Sequence, residues 1–283
     1  LARDLLDIEF GEEKATALFP PLGDSIAAAS VAQVHKIDTP EGVRAVKFLR
    51  PGIEVRIHRE LRAFTRAAKL AESQSVDARR MRLVAFVETL EDSLNKEMDL
   101  RFEAGGGDEI RELLLELPHF KVPEIDWDRT SRRVLTTEWI EGTPFTTEGI
   151  FEQSGVDRKQ LATHLMQGFL SLAVEHGVFH ADMHEGNLIL TQDHKIALID
   201  FGIIGRIGHV ERRYLAEILW GFIQRDYIRI AQVHFQAGYV PARHSVGDFA
   251  QALRSIGEPI HGKNASEMSM GQLVMQLFDY TAQ

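Results

Sequence analysis

The chain has 283 residues, 44% hydrophobic and 26% charged, a balance that fits a globular protein with a sizeable core and excludes global disorder. A net charge of −10 leaves no general footprint for nucleic acid, and the absence of cysteine rules out disulfides and thiolate metal sites. No run approaches the ~20 apolar residues needed to span a bilayer. The sequence starts without Met and stops at Thr281-Ala282-Gln283, which reads as a fragment trimmed at both ends.

In chain order, residues 3–18 read as one helix that Pro20-Pro21 stops. The alanine-rich stretch that follows has the composition of a helix start. Strands are expected at 31–37 and 43–49, flanking the turn Asp38-Thr39-Pro40-Glu41-Gly42. Helices then dominate from about 54 to 117, and the clustered Arg79-Arg80-Met81-Arg82 and Arg132-Arg133 read as solvated surface. A strand pair near 133–139 precedes the turn Glu141-Gly142-Thr143-Pro144. Residues 157–176 place Leu161, Leu165, Phe169, Leu172 and Ala173 on one helical stripe. A hairpin is expected from 188–190 and 196–199, and helices from 209 to about 238 and from 246 to 257. The fold class is α+β and bilobal. A small lobe (1–140) carries an antiparallel sheet and helices, and a larger helical lobe (141–283) follows.

The most informative stretch is His180-Ala181-Asp182-Met183-His184-Glu185-Gly186-Asn187, followed by Asp200-Phe201-Gly202. An Asp with an Asn five residues on, then an Asp-Phe-Gly thirteen residues after the Asn, is the layout of a kinase catalytic centre. Phosphoryl transfer needs one carboxylate to orient the attacking hydroxyl, and an amide and a second carboxylate to hold magnesium on the nucleotide phosphates. Lys47 is the candidate phosphate lysine, and Ala45, two residues back on the same strand face, would lie over adenine. Its helical partner is Glu103 or, in the helix just after the strand, Glu60. His35, His180 and His184 read as structural hydrogen-bonders, and no zinc set is present.

The motifs A-A-A-S-V-A-Q-V-H (27–35), A-V-K-F-L-R-P-G-I (45–53), E-M-D-L-R-F-E-A (97–104), T-T-E-W-I-E-G (136–142) and H-A-D-M-H-E-G-N with D-F-G resemble the UbiB family. These are atypical protein-kinase-like proteins tied to ubiquinone biosynthesis. The resemblance implies Asp182 as catalytic carboxylate, Asn187 and Asp200 as magnesium ligands, and Lys47 with Glu103 as the phosphate-side pair. Ala27, Ala28, Ala29 and Ser30 match the loop that replaces the glycine-rich loop of ordinary kinases. Glu138 to Ile140 match the adenine-binding hinge, and Ile189 joins the nucleotide pocket. Glu97 and Asp99 match an acidic pair that meets a K-x-G-Q helix, expected ahead of residue 1. Gly105-Gly106-Gly107 stand where the family has Ala-Asn; since each interior Gly costs ~1 kcal/mol relative to Ala, the helix carrying Glu103 is expected to break there.

The implied activity is that of an atypical kinase or ATPase using ATP or ADP with Mg2+. Its partners would be ubiquinone-biosynthesis proteins and lipid precursors, and it would lie at the cytoplasmic face of the inner membrane through segments outside this sequence. After D-F-G comes Ile203-Ile204-Gly205-Arg206, with no A-P-E-like anchor, which favours water or a small lipid-related acceptor over a protein. The alternatives are a small-molecule kinase of the aminoglycoside or choline type and a nucleotide-gated binding module.

Overall fold

The structure is a computed structural model and describes residues 2–28 and 31–261. Two helices open it, α1 (Ala2–Phe10) and α2 (Glu12–Leu18). The expected single helix is interrupted because Gly11 adopts φ 81°, a backbone state that glycine reaches without strain. Strands β1 (Ser25–Ala28), β2 (Ala32–Thr39) and β3 (Gly42–Leu49) follow, so the alanine-rich stretch enters as a strand rather than a helix. Next come α3 (Ile53–Gln74), α4 (Val76–Met81), α5 (Leu83–Glu97), α6 (Leu100–Leu114), β4 (Phe120–Lys121), β5 (Val134–Glu138), β6 (Gly142–Pro144) and α7 (Ile150–Ser154). The rest comprises α8 (Arg158–Leu170), β7 (Val178–His180), β8 (Leu188–Thr191), β9 (Ile196–Leu198), β10 (Ile204–Arg206), α9 (His209–Gln224), α10 (Tyr227–Gln236) and α11 (Val246–His261). Among the described residues no helix is long and apolar enough to cross a membrane.

The chain forms two compact units. The first runs to Gly155 and includes His180–Ile204; the second combines Val156–Phe179 with the chain from Gly205 onward. The segment 180–204, which the sequence reading grouped with 141–283, belongs to the first unit because β8 and β9 pair with β6 and β4 there in the sheet order β4-β9-β8-β6. Gly142 permits this pairing, since a Cβ at that position would come 2.4 Å from the Leu190 carbonyl oxygen.

The other sheet of the first unit has the order β1-β2-β3-β5 and is antiparallel throughout. In place of the strand pair expected near 133–139, β5 is a single strand, with one isolated bridge from Ile125 to Thr137. Alternation along β3 sends Val46 and Phe48 to one face, where Leu5, Leu6, Ala15 and Phe19 of the opening helices and the loop after them bury them. The opposite face carries Ala45, Lys47 and Leu49; here Leu49 and Leu135 pack on Met98, Leu100 and Ala104. Arg129 ties this unit together from a nearly buried position. It donates to the Leu18 carbonyl at 2.9 Å, to Asp126 at 2.7 Å and to Glu41 at 3.0 Å.

In the second unit α8 is capped by Asp157, which accepts from the Lys159 amide at 2.8 Å. It runs into a π-type turn, Ser171–His176. The expected helix over 209–238 is two helices. Arg225 takes φ 59° between them, and Asp226 caps α10 by accepting from the Arg229 amide at 3.0 Å. Tyr227, Ile230, Ala231, Phe249 and Leu253 form the core of this unit.

Candidate active site

Four strands set the site's upper surface. In an antiparallel ladder directly opposed residues share a face, and Ala27, Val34, Lys47 and Leu135 stand in one cross-strand row. The next row contains Lys36, Ala45 and Thr137. Ala27 and Lys47 are thus on one sheet surface, with Ala45 beside them. Ala28 closes β1; Ala29 and Ser30 lie outside the described residues.

From this surface Lys47 reaches Glu103 on α6, with Nζ at 2.8 Å from Oε1 and 3.0 Å from Oε2. The same ammonium donates to Asp200 Oδ2 at 3.1 Å. Glu60, the rival partner, is exposed and pairs with Arg56 instead. Burial works to lower the Lys47 pKa, but the Glu103 and Asp200 carboxylates outweigh it and hold the ammonium above the ordinary lysine value. Asp200 is desolvated too, yet Lys47 and the Gly202 amide, which donates to Oδ1 at 3.0 Å, keep its carboxyl below the usual range. For Glu103, 7% exposed, burial prevails over the pull of Lys47 and raises its carboxyl.

The helix carrying Glu103 does not break at its three glycines. It runs unbroken from Leu100 to Leu114, because Gly106 and Gly107 are where the D-F-G segment seats. A Cβ on Gly106 would stand 2.9 Å from Ile204 Cγ1, and one on Gly107 would stand 2.9 Å from Phe201 Cδ2. Phe201 is 3% exposed, so close packing there offsets the glycines' poor helix propensity. The sequence reading missed this seat, although three consecutive glycines beside a site glutamate are themselves a signal of close approach. The interruption falls earlier, at Met98. Glu97 ends α5 and is exposed, while Asp99 is the N-cap of α6 and accepts from the Arg101 amide at 3.2 Å. The acidic pair therefore shares no continuous helix with Glu103.

The loop from His180 to Asn187 is held mainly by hydrogen bonds between its side chains and backbone groups. His180, 2% exposed, accepts the Asp182 amide on Nδ1 at 3.2 Å, so Nε2 carries the proton donated to the Asp200 carbonyl oxygen at 2.6 Å. Burial pushes its pKa below the ordinary value, which keeps this neutral form. Asn187 Nδ2 donates to the Asp182 carbonyl at 3.0 Å, which leaves Oδ1 as its atom for a cation. The Ile199 amide donates to the Asn187 carbonyl at 3.2 Å and ties this loop to the strand leading to Asp200. His184 accepts the Gly186 amide on Nδ1 at 3.0 Å, and its Nε2 stands 3.7 Å from Asp182 Oδ2.

At the hinge, the Glu138 amide donates to the Glu124 carbonyl at 2.8 Å and the Trp139 amide to the Val43 carbonyl at 3.1 Å. The Glu138 carboxylate pairs with Lys121 at 2.7 Å, and Ile140 is buried. Ile189, half-buried on β8, lies in register with Ala197 and Pro144. Among the described residues no group of three or more His, Asp and Glu side chains is placed to hold a metal. Asn187 and Asp200 offer hard oxygen donors of the kind magnesium prefers when phosphates complete its shell.

The ABC1 atypical kinase-like domain matches residues 3–234. A relative from Marinobacter nauticus named Probable protein kinase UbiB is 35% identical over 98% of this chain and 52% of its own length. One of the same name from Azotobacter vinelandii is 36% identical over 90% of this chain and 48% of its own. The Rv3197–erythromycin complex from Mycobacterium tuberculosis superposes with a TM-score of 0.72 at 25% identity, over 91% of this chain and 65% of that one. That likeness supports the kinase-like α+β fold. The chain spans about half the length of the curated relatives it matches. On this domain match and these relatives, the chain belongs to the UbiB family of ABC1 atypical kinase-like proteins.

Proposed function

We propose that this domain binds a magnesium–nucleotide complex and acts as an atypical kinase or ATPase that supports ubiquinone biosynthesis. The observation that carries the reading is Lys47 between Glu103 and Asp200, all three within hydrogen-bonding distance. A desolvated ammonium held by two carboxylates is preorganised for phosphate oxygens. Magnesium, when bound, supplies charge neutralisation for the phosphates, and Asn187 Oδ1 with Asp200 would hold it. Asp182, more than half exposed, is free to orient an attacking oxygen. With the Glu138 and Trp139 amides engaged in backbone bonds, the adenine-facing donor falls to Ile140. Ala27 to Ser30 would cover the phosphates, with Ala45 above the base and Ile189 below. Water or a small lipid-related molecule is the proposed acceptor, and the whole protein would work at the inner membrane through segments outside this sequence.

Thermal unfolding with magnesium and ADP tests the site. Ligand at a hundred times its dissociation constant adds ~2.7 kcal/mol, a rise of roughly 5–10 °C in Tm for a chain of this size. The rise should need magnesium and vanish in Asp200→Asn. An identical rise with EDTA present, or none at all, would reject the reading.

A further inference from the structure

Lys36 has no part in the site as described above, yet it stands on the same sheet surface as Lys47. It is directly opposite Ala45 on β3, and its side chain reaches past β3 to the hinge on the far side. There Nζ lies 4.5 Å from the centroid of the Trp139 ring and 3.2 Å from Glu141 Oε1. These two residues flank Ile140. The indole N–H of Trp139 is buried with no hydrogen-bond partner among the described residues, so no hydrogen bond fixes the ring. A lysine ammonium over an indole is attracted by the ring quadrupole. The adjoining carboxylate aims that charge.

We propose that Lys36 is a positioning residue for the purine base. It clasps Trp139 and Glu141 across β3, sets the backbone between them, and so fixes the direction of the Ile140 amide. It also forms the outer rim of the slot over Ala45. This deepens the proposed nucleotide reading and rests on it. The phosphates would be gripped at Lys47, one cross-strand row away, so base recognition and phosphate recognition become separable.

The experiment is calorimetric titration of wild type, Lys36→Ala, Lys36→Arg and Glu141→Gln with ADP, GDP and pyrophosphate, all in magnesium. Lys36→Ala should bind ADP about tenfold more weakly, a change of ~1.4 kcal/mol, and should lose most of the preference for ADP over GDP. Its pyrophosphate affinity should stay at the wild-type value. Lys36→Arg keeps a cation for both partners and should restore ADP binding. Glu141→Gln, at an exposed carboxylate whose removal spares the core, should show a smaller loss of the same kind. Unchanged ADP binding in Lys36→Ala, or parallel loss of ADP and pyrophosphate, overturns the clasp while leaving the nucleotide site standing. Failure of wild type to bind any of the three ligands overturns the nucleotide reading itself, and the clasp with it.

Discussion

Around Lys47 three charged side chains are fixed by direct contacts inside the protein, and Glu103 is almost fully buried. In the loop from His180 to Asn187 the neighbouring Asp182 and His184 are open to water instead, with His184 58% and Asp182 53% exposed. The first region invests folding energy in electrostatics, so its geometry exists before any ligand arrives. The second leaves the Asp182 carboxylate solvated and uses backbone amides and one buried histidine to hold the loop's shape. A group that must exchange protons or meet a changing acceptor gains from water around it, whereas one that grips a fixed polyanion gains from its exclusion.

The largest test of this contrast is Lys47→Met. It leaves buried Glu103 without its cation beside the partly exposed Asp200, and breaking a buried pair typically costs about 3–5 kcal/mol. Lys47 keeps 22% side-chain exposure, so a loss of about 3 kcal/mol is expected in urea unfolding. Gly107→Ala comes next. Helix propensity favours it by ~1 kcal/mol, but its Cβ meets the Phe201 ring at 2.9 Å, and overpacking costs about 1–3 kcal/mol. A net loss of up to about 2 kcal/mol should follow, and Phe201→Leu in the same chain should recover part of it.

The pH test is smaller. His180 has its folded-state pKa held below 6.5, so the unfolded chain takes up a proton that the folded chain resists. The stabilisation is complete above pH 6.5 and is lost as the pH falls toward the folded value. Half-buried His234 in the second unit shifts in the same direction, so wild type should weaken with acid on both accounts. His180→Asn should flatten only its own share of the slope in urea midpoints measured between about pH 7.5 and about pH 5.5. A slope identical to wild type would mean that the His180 ring is not held neutral. Smallest in stability is Asp182→Asn, expected to stay within about 0.5 kcal/mol of wild type. Its nucleotide turnover should nonetheless fall ~100-fold or more. A large stability loss there would remove the contrast between the two regions.

Much of the site was legible because its chemistry is written in fixed spacings. Asp182, Asn187 and Asp200 are linked by one short hairpin, so sequence distance translates directly into proximity. The meeting of Lys47 with Glu103 is fifty-six residues long-range, and only the motif around Glu103 favoured it over Glu60. Local rules failed where tertiary packing supplied what propensity lacked. Gly105 to Gly107 predict a broken helix on backbone entropy alone, yet Ile204 and the ring of Phe201 need the bare surface of Gly106 and Gly107. Conversely, Gly11 and Arg225 end helices whose apolar pattern runs on, because a left-handed or otherwise positive φ is a property of one residue and leaves the periodicity intact. Asp99, one of the acidic pair that the family resemblance singles out, has a side chain that caps the start of α6.

Arg129 sets a limit on how this domain can be cut. Its guanidinium, 8% exposed, has one of its three anchors on the carbonyl of Leu18, the last residue of α2. Deleting the opening helices would uncover Val46 and Phe48 and also remove that acceptor. The charge would remain inside with a donor unsatisfied, a loss that refilling the apolar surface cannot make good. Any shortened version meant to keep the site around Lys47 must therefore retain α1 and α2. A protease that clips between Phe19 and Ser25 should leave the two pieces associated until denaturant is added.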